Sequence, residues 1–185
     1  DDIVRREQFT DFIRGRPFRS SLVCRDNISL DRHAGPDILR SFFLASQAEP
    51  VADKPDVRSR SAEVFKGLDE TEITVDDPLT KAALVALQEA WSKPLEFEEL
   101  MARASQLSGQ ASADDVANAA ADLLDLFKKG FIYLHRSRQP FTDKPGERPR
   151  TSSFVQWQIR KNCSDITALS GMNLRPEGDP MRLLL

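Results

Sequence analysis

The chain contains 185 residues, of which 40% are hydrophobic and 30% are charged, and its formal net charge is −3. Eleven phenylalanines provide large apolar side chains for a core, which excludes a chain that is disordered throughout. No apolar run reaches the length of a membrane span. We therefore expect a globular cytoplasmic protein of one large or two small domains, with Cys24 and Cys163 reduced. A start without Met and an apolar end over 181–185 indicate a fragment of a longer protein.

The N-terminal residues predict a short amphipathic helix. Phe9, Phe12 and Ile13 recur at positions i, i+3 and i+4, which is the spacing of one apolar helix face. The helix is expected to run from Arg5 to Arg14, with Gly15 as its C-cap and a proline soon after it.

A strand and a second short element are predicted next. The run Phe18–Arg25 reads as a strand in which Cys24 is a small apolar filler. Further on, Pro36 is suited to the start of a helix, but a strand over Phe42–Ala45 is the competing interpretation. Residues 47–60 are rich in proline and charge and are expected to form a loop.

The middle of the chain predicts a small hairpin and then three helices. The segments 62–67 and 72–75 flank a turn, as the two strands of a hairpin would. Asp77 and Pro78 start a helix that extends to about Trp91, and a second helix covers 97–107. Ser112 caps a third helix that ends at Gly130. The inward stripe of the third helix is expected to comprise Val116, Ala117, Ala120, Leu123, Leu124 and Phe127.

Two apolar runs after the third helix, over 131–135 and 154–159, read as strands on either side of a basic loop. Three helices followed by a hairpin with a long tip form the winged-helix pattern. The predicted class is therefore α+β, with a small N-terminal α/β segment over 1–60 and a winged-helix-like domain with a β-hairpin wing over 61–161. Residues 162–185 are expected to be a tail or the start of a following domain.

The sequence contains no recognisable catalytic, cofactor or metal motif. The eight glycines lie too far apart to form a dinucleotide fingerprint, a phosphate loop or the turn that cradles S-adenosylmethionine. His33 and His135, the two histidines, are distant in sequence and have no neighbouring ligands at metal-binding spacing. We predict that the chain is not an enzyme on its own.

The charges argue against nucleic acid binding, which a winged helix would otherwise suggest. Over 78–131 five basic residues face eight acidic ones, and the third helix begins with Asp114 and Asp115 where bases would be contacted. Two carboxylates there repel phosphate. The segment 132–161 is basic, with seven bases against two acids. A winged-helix nucleic-acid-binding transcriptional regulator is therefore retained as the alternative function.

Two stretches together are similar to a known family. The first is REQFTDFIRGRPFR over 6–19, with the spacing F-x-x-F-I-x-x-R-x-F, and it continues into SSLVCR. The second is DPLTKAAL over 77–84, followed by Trp91 and by LEFEEL over 95–100. These stretches resemble the methyltransferase regulatory domain. That domain follows an S-adenosylmethionine-dependent class I catalytic domain in bacterial methyltransferases, some of which act on protein lysines.

The resemblance implies a non-catalytic module that regulates a methyltransferase or presents its substrate. S-adenosylmethionine would then belong to a catalytic domain elsewhere in the same protein, and the chain itself would hold no cofactor. That domain is the implied partner, with a protein substrate or a second copy of the chain as further partners. Interfaces favour aromatic residues and arginine over lysine. The candidate interface on this basis comprises Phe9, Phe12, Arg14, Arg16, Phe18, Arg19, Arg136, Arg138, Arg148 and Arg150.

Overall fold

The computed structural model describes residues 3–18, 23–30, 34–138, 147, 151–168 and 173–175. The chain divides into two compact units, residues 1–33 and residues 34–185. The sequence prediction placed a boundary after residue 60 instead. Residues 34–60 fall in the second unit because their short strands pair with strands from later in the chain.

The first unit contains one helix, α1 (Ile3–Ile13), close to its predicted position. The helix ends in a Schellman motif. The Arg16 amide donates to the Asp11 carbonyl at 3.0 Å and the Gly15 amide donates to the Phe12 carbonyl at 3.2 Å. Gly15 adopts a φ of 57°, in the left-handed region that glycine tolerates without strain.

The strand predicted over 18–25 is not formed by its described residues. Phe18 and residues 23–25 are irregular and exposed, and residues 19–22 lie outside the described part of the chain. Cys24 is exposed, so its prediction as a buried filler is wrong. The described residues of this segment pair with no strand of the described chain, and a single short strand without a partner is not stable in water.

The second unit mixes helices with small antiparallel sheets, which confirms the α+β class. It opens with a 3₁₀ helix, Pro36–Ser41. The remaining elements, in chain order, are β1 (Phe43–Ala45), β2 (Glu49–Pro50), β3 (Glu63–Lys66), β4 (Glu72–Val75), α2 (Pro78–Ala90), β5 (Leu95–Glu96), α3 (Phe97–Ser108), α4 (Ala113–Lys128), β6 (Tyr133–His135), α5 (Ser153–Arg160), β7 (Ile166–Thr167) and β8 (Asn173–Leu174).

The first sheet has β1 as its central strand, in the order β5-β1-β6. Leu44 lies opposite Leu95 on one side and Leu134 on the other, and its side chain is completely buried. The helix and the strand that were predicted as alternatives for this region are therefore both present, one after the other. A short helix starts at Pro36 and a strand follows it.

The second sheet contains the predicted hairpin. Strands β3 and β4 pair over 63–66 and 72–75, and β2 adds an edge in the order β2-β3-β4. The Gly67 amide donates to the Thr71 carbonyl at 2.8 Å and closes the turn. Phe65, in the middle strand, is completely buried.

Helices α2, α3 and α4 form at the predicted positions because local capping signals define them. Asp77 accepts from the Thr80 amide at 2.8 Å, with Pro78 in the first turn of α2. Ser112 and Asp115 form a reciprocal capping box at the start of α4. These helices and the two sheets surround one continuous hydrophobic core.

Two predictions in this unit are wrong. Residues 154–159 form part of the helix α5 and not a strand, so the β-hairpin wing is not formed, and β6 pairs with β1 instead. In α4, Phe127 is 40% exposed, whereas Leu126 is 5% exposed and contributes to the core.

A buried lysine fixes the connection between β2 and β3. Lys81, on α2, is 0% exposed, and its Nζ donates to the carbonyl oxygens of Ser59 at 2.8 Å and Ser61 at 2.7 Å. In the same loop, Asp56 accepts from the amides of Arg58 and Ser59 and from the Ser59 hydroxyl. These hydrogen bonds to the charged form hold the pKa of Asp56 well below its usual range.

Candidate functional site

The apolar face of α1 points outward. Phe9 is 67% exposed, Phe12 is 85% exposed and Ile13 is 68% exposed. The half-buried positions of the helix are Ile3, Glu7, Thr10 and Asp11, which lie on its opposite side. Phe9, Phe12 and Ile13 lie on one face of α1, at the predicted spacing, and that face is exposed to solvent. A helix that exposes its phenylalanines has an uncovered apolar surface.

The arginines that follow α1 extend this surface. Arg14, Arg16 and Phe18 are exposed, and Phe18 is exposed to 89%. Arg16 lies 3.9 Å from Asp11, which is a weak ion pair at a solvent-exposed position. We call Phe9, Phe12, Ile13 and Phe18 with Arg14 and Arg16 the aromatic surface. Arg19, predicted to belong with them, lies outside the described residues.

The second group of candidate interface residues is only partly described. Arg136 and Arg138 are exposed, while Arg148 and Arg150 lie outside the described residues. Arg138 binds within its own unit, with its guanidinium 3.6 Å from Glu99 and 3.9 Å from Glu96. The grouping of these four arginines as one surface therefore stays a prediction.

A second arginine, Arg40, binds at the acidic start of α3, and the sequence analysis did not select it. Arg40 pairs with Glu98 and lies 4.9 Å above the ring of Phe97, while Arg138 lies 5.9 Å above the ring of Phe43. Stacking on a ring and pairing with a carboxylate are typical of arginine. No local pattern indicates this cluster, since Arg40 and Glu98 are 58 residues apart.

A cavity of about 660 Å³ lies between the second sheet and the end of α2. We call it the α2 cavity. Its apolar wall includes Pro50, Val51, Leu68 and Trp91, and the ring of Trp91 lies 6.5 Å from that of Tyr133. The polar lining residues are Gln47, Glu49, Lys66, Glu70 and Gln88. None of them was predicted, because loop, turn and helix end meet there only after folding.

The α2 cavity is acidic in spite of its lysine. Lys66 is bound by Glu70, and the hydrogen bond and charge of Glu70, with the further charges of Glu72 and Glu49, raise the pKa of Lys66. One ammonium thus faces three carboxylates. The Oε1 atom of Gln47 is buried and accepts no hydrogen bond from the described residues.

The described ranges contain no cluster of side chains that is arranged for catalysis or for binding a metal. No cluster of three or more His, Cys, Asp or Glu residues there has the arrangement of a metal site. Burial lowers the pKa of His135, which lies opposite Phe43 in the first sheet. His33 lies outside the described residues. Within those same ranges no helix has the length and apolar character needed to cross a membrane.

Comparison with known proteins gives relatives but no family model that matches. Two curated proteins of Rickettsia prowazekii (strain Madrid E) are similar. Uncharacterized protein RP789 is 26% identical over 170 residues, which cover 86% of this chain and 30% of that protein. Uncharacterized protein RP027 is 25% identical over 156 residues, which cover 81% of this chain and 62% of that protein. The chain thus spans less than two thirds of either relative.

The fold is similar to part of a solved methyltransferase. PKMT2 from Rickettsia typhi matches 95% of this chain with a TM-score of 0.78 and 25% identity, and the match covers 37% of the PKMT2 chain. PKMT2 in complex with AdoHcy matches 98% of the chain, with a TM-score of 0.80, 24% identity and the same 37% share. Since PKMT2 is a protein lysine methyltransferase, the likeness fits a methyltransferase-related domain.

Proposed function

We propose that this chain is a non-catalytic regulatory or substrate-presenting module of an S-adenosylmethionine-dependent methyltransferase. It acts by contact with a catalytic domain of the same protein, in the cytoplasm, and holds no cofactor itself. The observation that carries the proposal is the likeness of nearly the whole chain to 37% of PKMT2. A chain that matches a limited part of a methyltransferase along almost its full length is suited to a module of such an enzyme.

The aromatic surface is the proposed contact with the catalytic domain. Phe9, Phe12 and Phe18 expose most of their side chains to solvent, and burying each of them would contribute about 1.5–3 kcal/mol. Arg14 and Arg16 follow α1 directly in the sequence, are exposed, and would give the contact charged hydrogen-bond donors. Exposed aromatic and arginine side chains are the residue types that dominate binding energy at protein interfaces.

The experiment uses a protein that carries this chain together with a methyltransferase catalytic domain. Phe12→Ser should reduce methyl transfer about tenfold or more, because it removes the most exposed ring of α1 from the contact. The melting temperature of the 185-residue chain should stay unchanged, since Phe12 supports little of its own packing. Arg14→Glu with Arg16→Glu should act in the same direction.

Phe154→Ser is the matched control, because Phe154 is also an exposed ring but lies on α5. It should leave methyl transfer unchanged. Normal activity of the Phe12 variant with an unaltered melting temperature would refute the aromatic surface as the contact. Loss of self-association in the Phe12 variant, with normal activity, would assign the surface to a second copy of the chain.

A further inference from the structure

The first unit has no buried core among its described residues. Every residue of 3–18 and 23–30 is exposed or half-buried, and α1 contributes no buried side chain. Helices α2, α3 and α4 differ, since each buries several side chains in the second unit. Besides the aromatic surface, Val4, Val23, Ile28 and Leu30 are each more than half exposed. Packing of an apolar face supplies most of the stability of a helix in a protein, and α1 lacks that packing.

The sequence of α1 provides little helix stability to replace that packing. Six of its 11 residues are β-branched or phenylalanine, types that form helices less readily than alanine or leucine. No acidic residue in its first turn and no basic residue in its last turn balances the helix dipole. The Thr10 hydroxyl donates to the Arg6 carbonyl at 3.0 Å, a bond that slightly destabilises a helix. Isolated helices shorter than about 12 residues are marginal in water even when they are rich in alanine.

A partner that covers the aromatic surface would stabilise α1. Phe9, Phe12 and Ile13 share one face only when the segment is helical, because their spacing of three and four residues matches one helical turn. A partner that buries these three side chains together therefore binds the helical form and shifts the segment toward it.

The charges of the aromatic surface indicate what kind of partner covers it. Arg14 and Arg16 are both exposed. A second copy of the chain would bring two positively charged surfaces together, whereas an apolar groove with carboxylates at its rim would complement them. The match covers 37% of the PKMT2 chain, so most of that protein is available to provide such a groove.

We propose that α1 is largely unfolded in the isolated 185-residue chain and becomes a stable helix when the catalytic domain covers the aromatic surface. The identity of this partner rests on the proposed function. Docking of the module is then coupled to folding of α1. Part of the contact free energy is used to order the segment, so the contact is weaker than its buried area implies.

The test is amide hydrogen exchange of α1, measured by mass spectrometry on the isolated chain and on the longer protein that carries it with a catalytic domain. In the isolated chain the α1 amides should exchange within about tenfold of the rate of an unstructured peptide. In the longer protein they should exchange about 100-fold more slowly, or slower still. The amides of α4 are the internal control and should be protected in both proteins.

Two variants of the longer protein separate folding on contact from contact by a stable helix. Phe12→Ser should return the α1 amides to the exchange rate of the isolated chain, because the helix depends on its cover. A helix that is stable by itself would stay protected in this variant. Phe154→Ser, the exposed ring on α5, is the matched control and should leave α1 protected.

A pair of substitutions at Thr10, away from the aromatic surface, gives a second test. Thr10→Ala and Thr10→Gly both remove the hydroxyl, but glycine disfavours a helix about fivefold relative to alanine. In the longer protein the glycine variant should therefore exchange its α1 amides about fivefold faster than the alanine variant. In the isolated chain the two variants should exchange alike, since little helix is present there to lose.

Equal protection of α1 in the isolated chain and the longer protein would overturn the proposal. The proposed function would then still be decided by methyl transfer in the Phe12 variant. Fast exchange of α1 in both proteins would overturn the proposal together with the aromatic surface as the contact. Protection that appears in the isolated chain as its concentration rises would overturn the catalytic domain as the cover and identify a second copy instead.

Discussion

Thr80 faces two carboxylates with a single hydroxyl proton. Its Oγ1 lies 2.8 Å from Asp77 Oδ2 and 3.0 Å from Asp122 Oδ2, at the contact between α2 and α4. One hydroxyl can donate to only one of these oxygens. When Thr80 donates to Asp77, the ionised carboxylate of Asp122 receives no proton from it. Burial is the largest cause that raises the pKa of Asp122, and the charges of Asp77, Asp76 and Asp125 add to it, whereas a hydrogen bond from Thr80 lowers it.

The raised pKa predicts that Asp122→Asn stabilises the chain at neutral pH. Folding favours the protonated form of Asp122, so its contribution is fully present below the unfolded pKa and is lost as pH rises through the folded value. Asparagine has no charge and can still accept the Thr80 hydroxyl proton. We expect an increase in Tm of about 2 °C at pH 7, kept small because Asp122 is an exposed residue whose charge is screened by solvent.

The measurement is thermal unfolding of variant and wild type at several pH values. The difference in Tm should shrink toward zero near pH 3, where wild-type Asp122 is protonated. Asp114→Asn, at an exposed position in the first turn of the same helix, serves as the control and should not stabilise. A variant less stable than wild type at pH 7 would show that the charged carboxylate is favourable at this contact.

Residues whose hydrogen-bond partners lie within a few positions in the sequence could be predicted, and residues with distant partners could not. Asp77 and Ser112 cap helices whose amides lie three residues away, so the sequence alone identifies them. Lys81 bonds to carbonyls 20 and 22 residues away and reads as an ordinary surface lysine. Its burial is decided by how the loop returns to α2, which no local pattern records.

At the scale of elements, α5 shows how a short apolar run can mislead. Over 154–159 apolar and polar residues largely alternate, as in a strand, yet Val155, Gln158 and Ile159 form the buried face of a helix. Ser152, which accepts from the Val155 amide at 3.2 Å, was the overlooked helix signal. β6 had a partner available in β1, so no second strand was needed beside it.

Helix α4 was predicted correctly as a helix, but its buried face is rotated slightly from the predicted face. The predicted stripe is correct at Ala120, Leu123 and Leu124, which are buried, and wrong at Ala117 and Phe127, which are exposed. The buried face also includes Ala119 and Leu126, which lie with Leu123 at i, i+7 and i+4. A small residue such as Ala119 allows close approach of a neighbouring element, which a hydrophobicity pattern undervalues.

This rotation predicts losses of stability of different size at neighbouring positions. Leu126→Ala should destabilise the chain by about 3 kcal/mol, because it leaves a cavity in the core. Phe127→Ala should cost less than about 1 kcal/mol, since its ring is 40% exposed. Urea unfolding of both variants measures the free energies. A larger loss for Phe127→Ala would show that the face of α4 is turned toward that ring.

For the whole molecule, the resemblance indicated the class of protein more reliably than the fold pattern did. The match to PKMT2 agrees with a methyltransferase-related domain. The winged-helix pattern predicted the three helices but not the sheet, because the central strand, β1, which pairs with β6, comes from residues 43–45, before the helices. The α2 cavity could not be predicted, since its lining comes from three separate stretches, 47–51, 66–70 and 88–91.

At this scale we predict that the isolated chain does not bind S-adenosylmethionine. Its eight glycines provide no closely spaced pair before a helix, so the turn that would hold the cofactor is missing from the sequence. Calorimetric titration should give no heat of binding. PKMT2, which has been solved with AdoHcy, is the positive control. A micromolar Kd for the isolated chain would contradict the role of a non-catalytic module.

The position of β1 has a consequence for the order in which the second unit can form. Its two partners, β5 and β6, follow it by about 50 and 90 residues, so at synthesis β1 leaves the ribosome long before either exists. Helices α2, α3 and α4 depend on local contacts and can form quickly. They cannot pack against the complete sheet until β6, which ends at residue 135, has been synthesised. Folding of this unit is therefore expected to be late, because Leu44 cannot be enclosed between β5 and β6 until both have been synthesised.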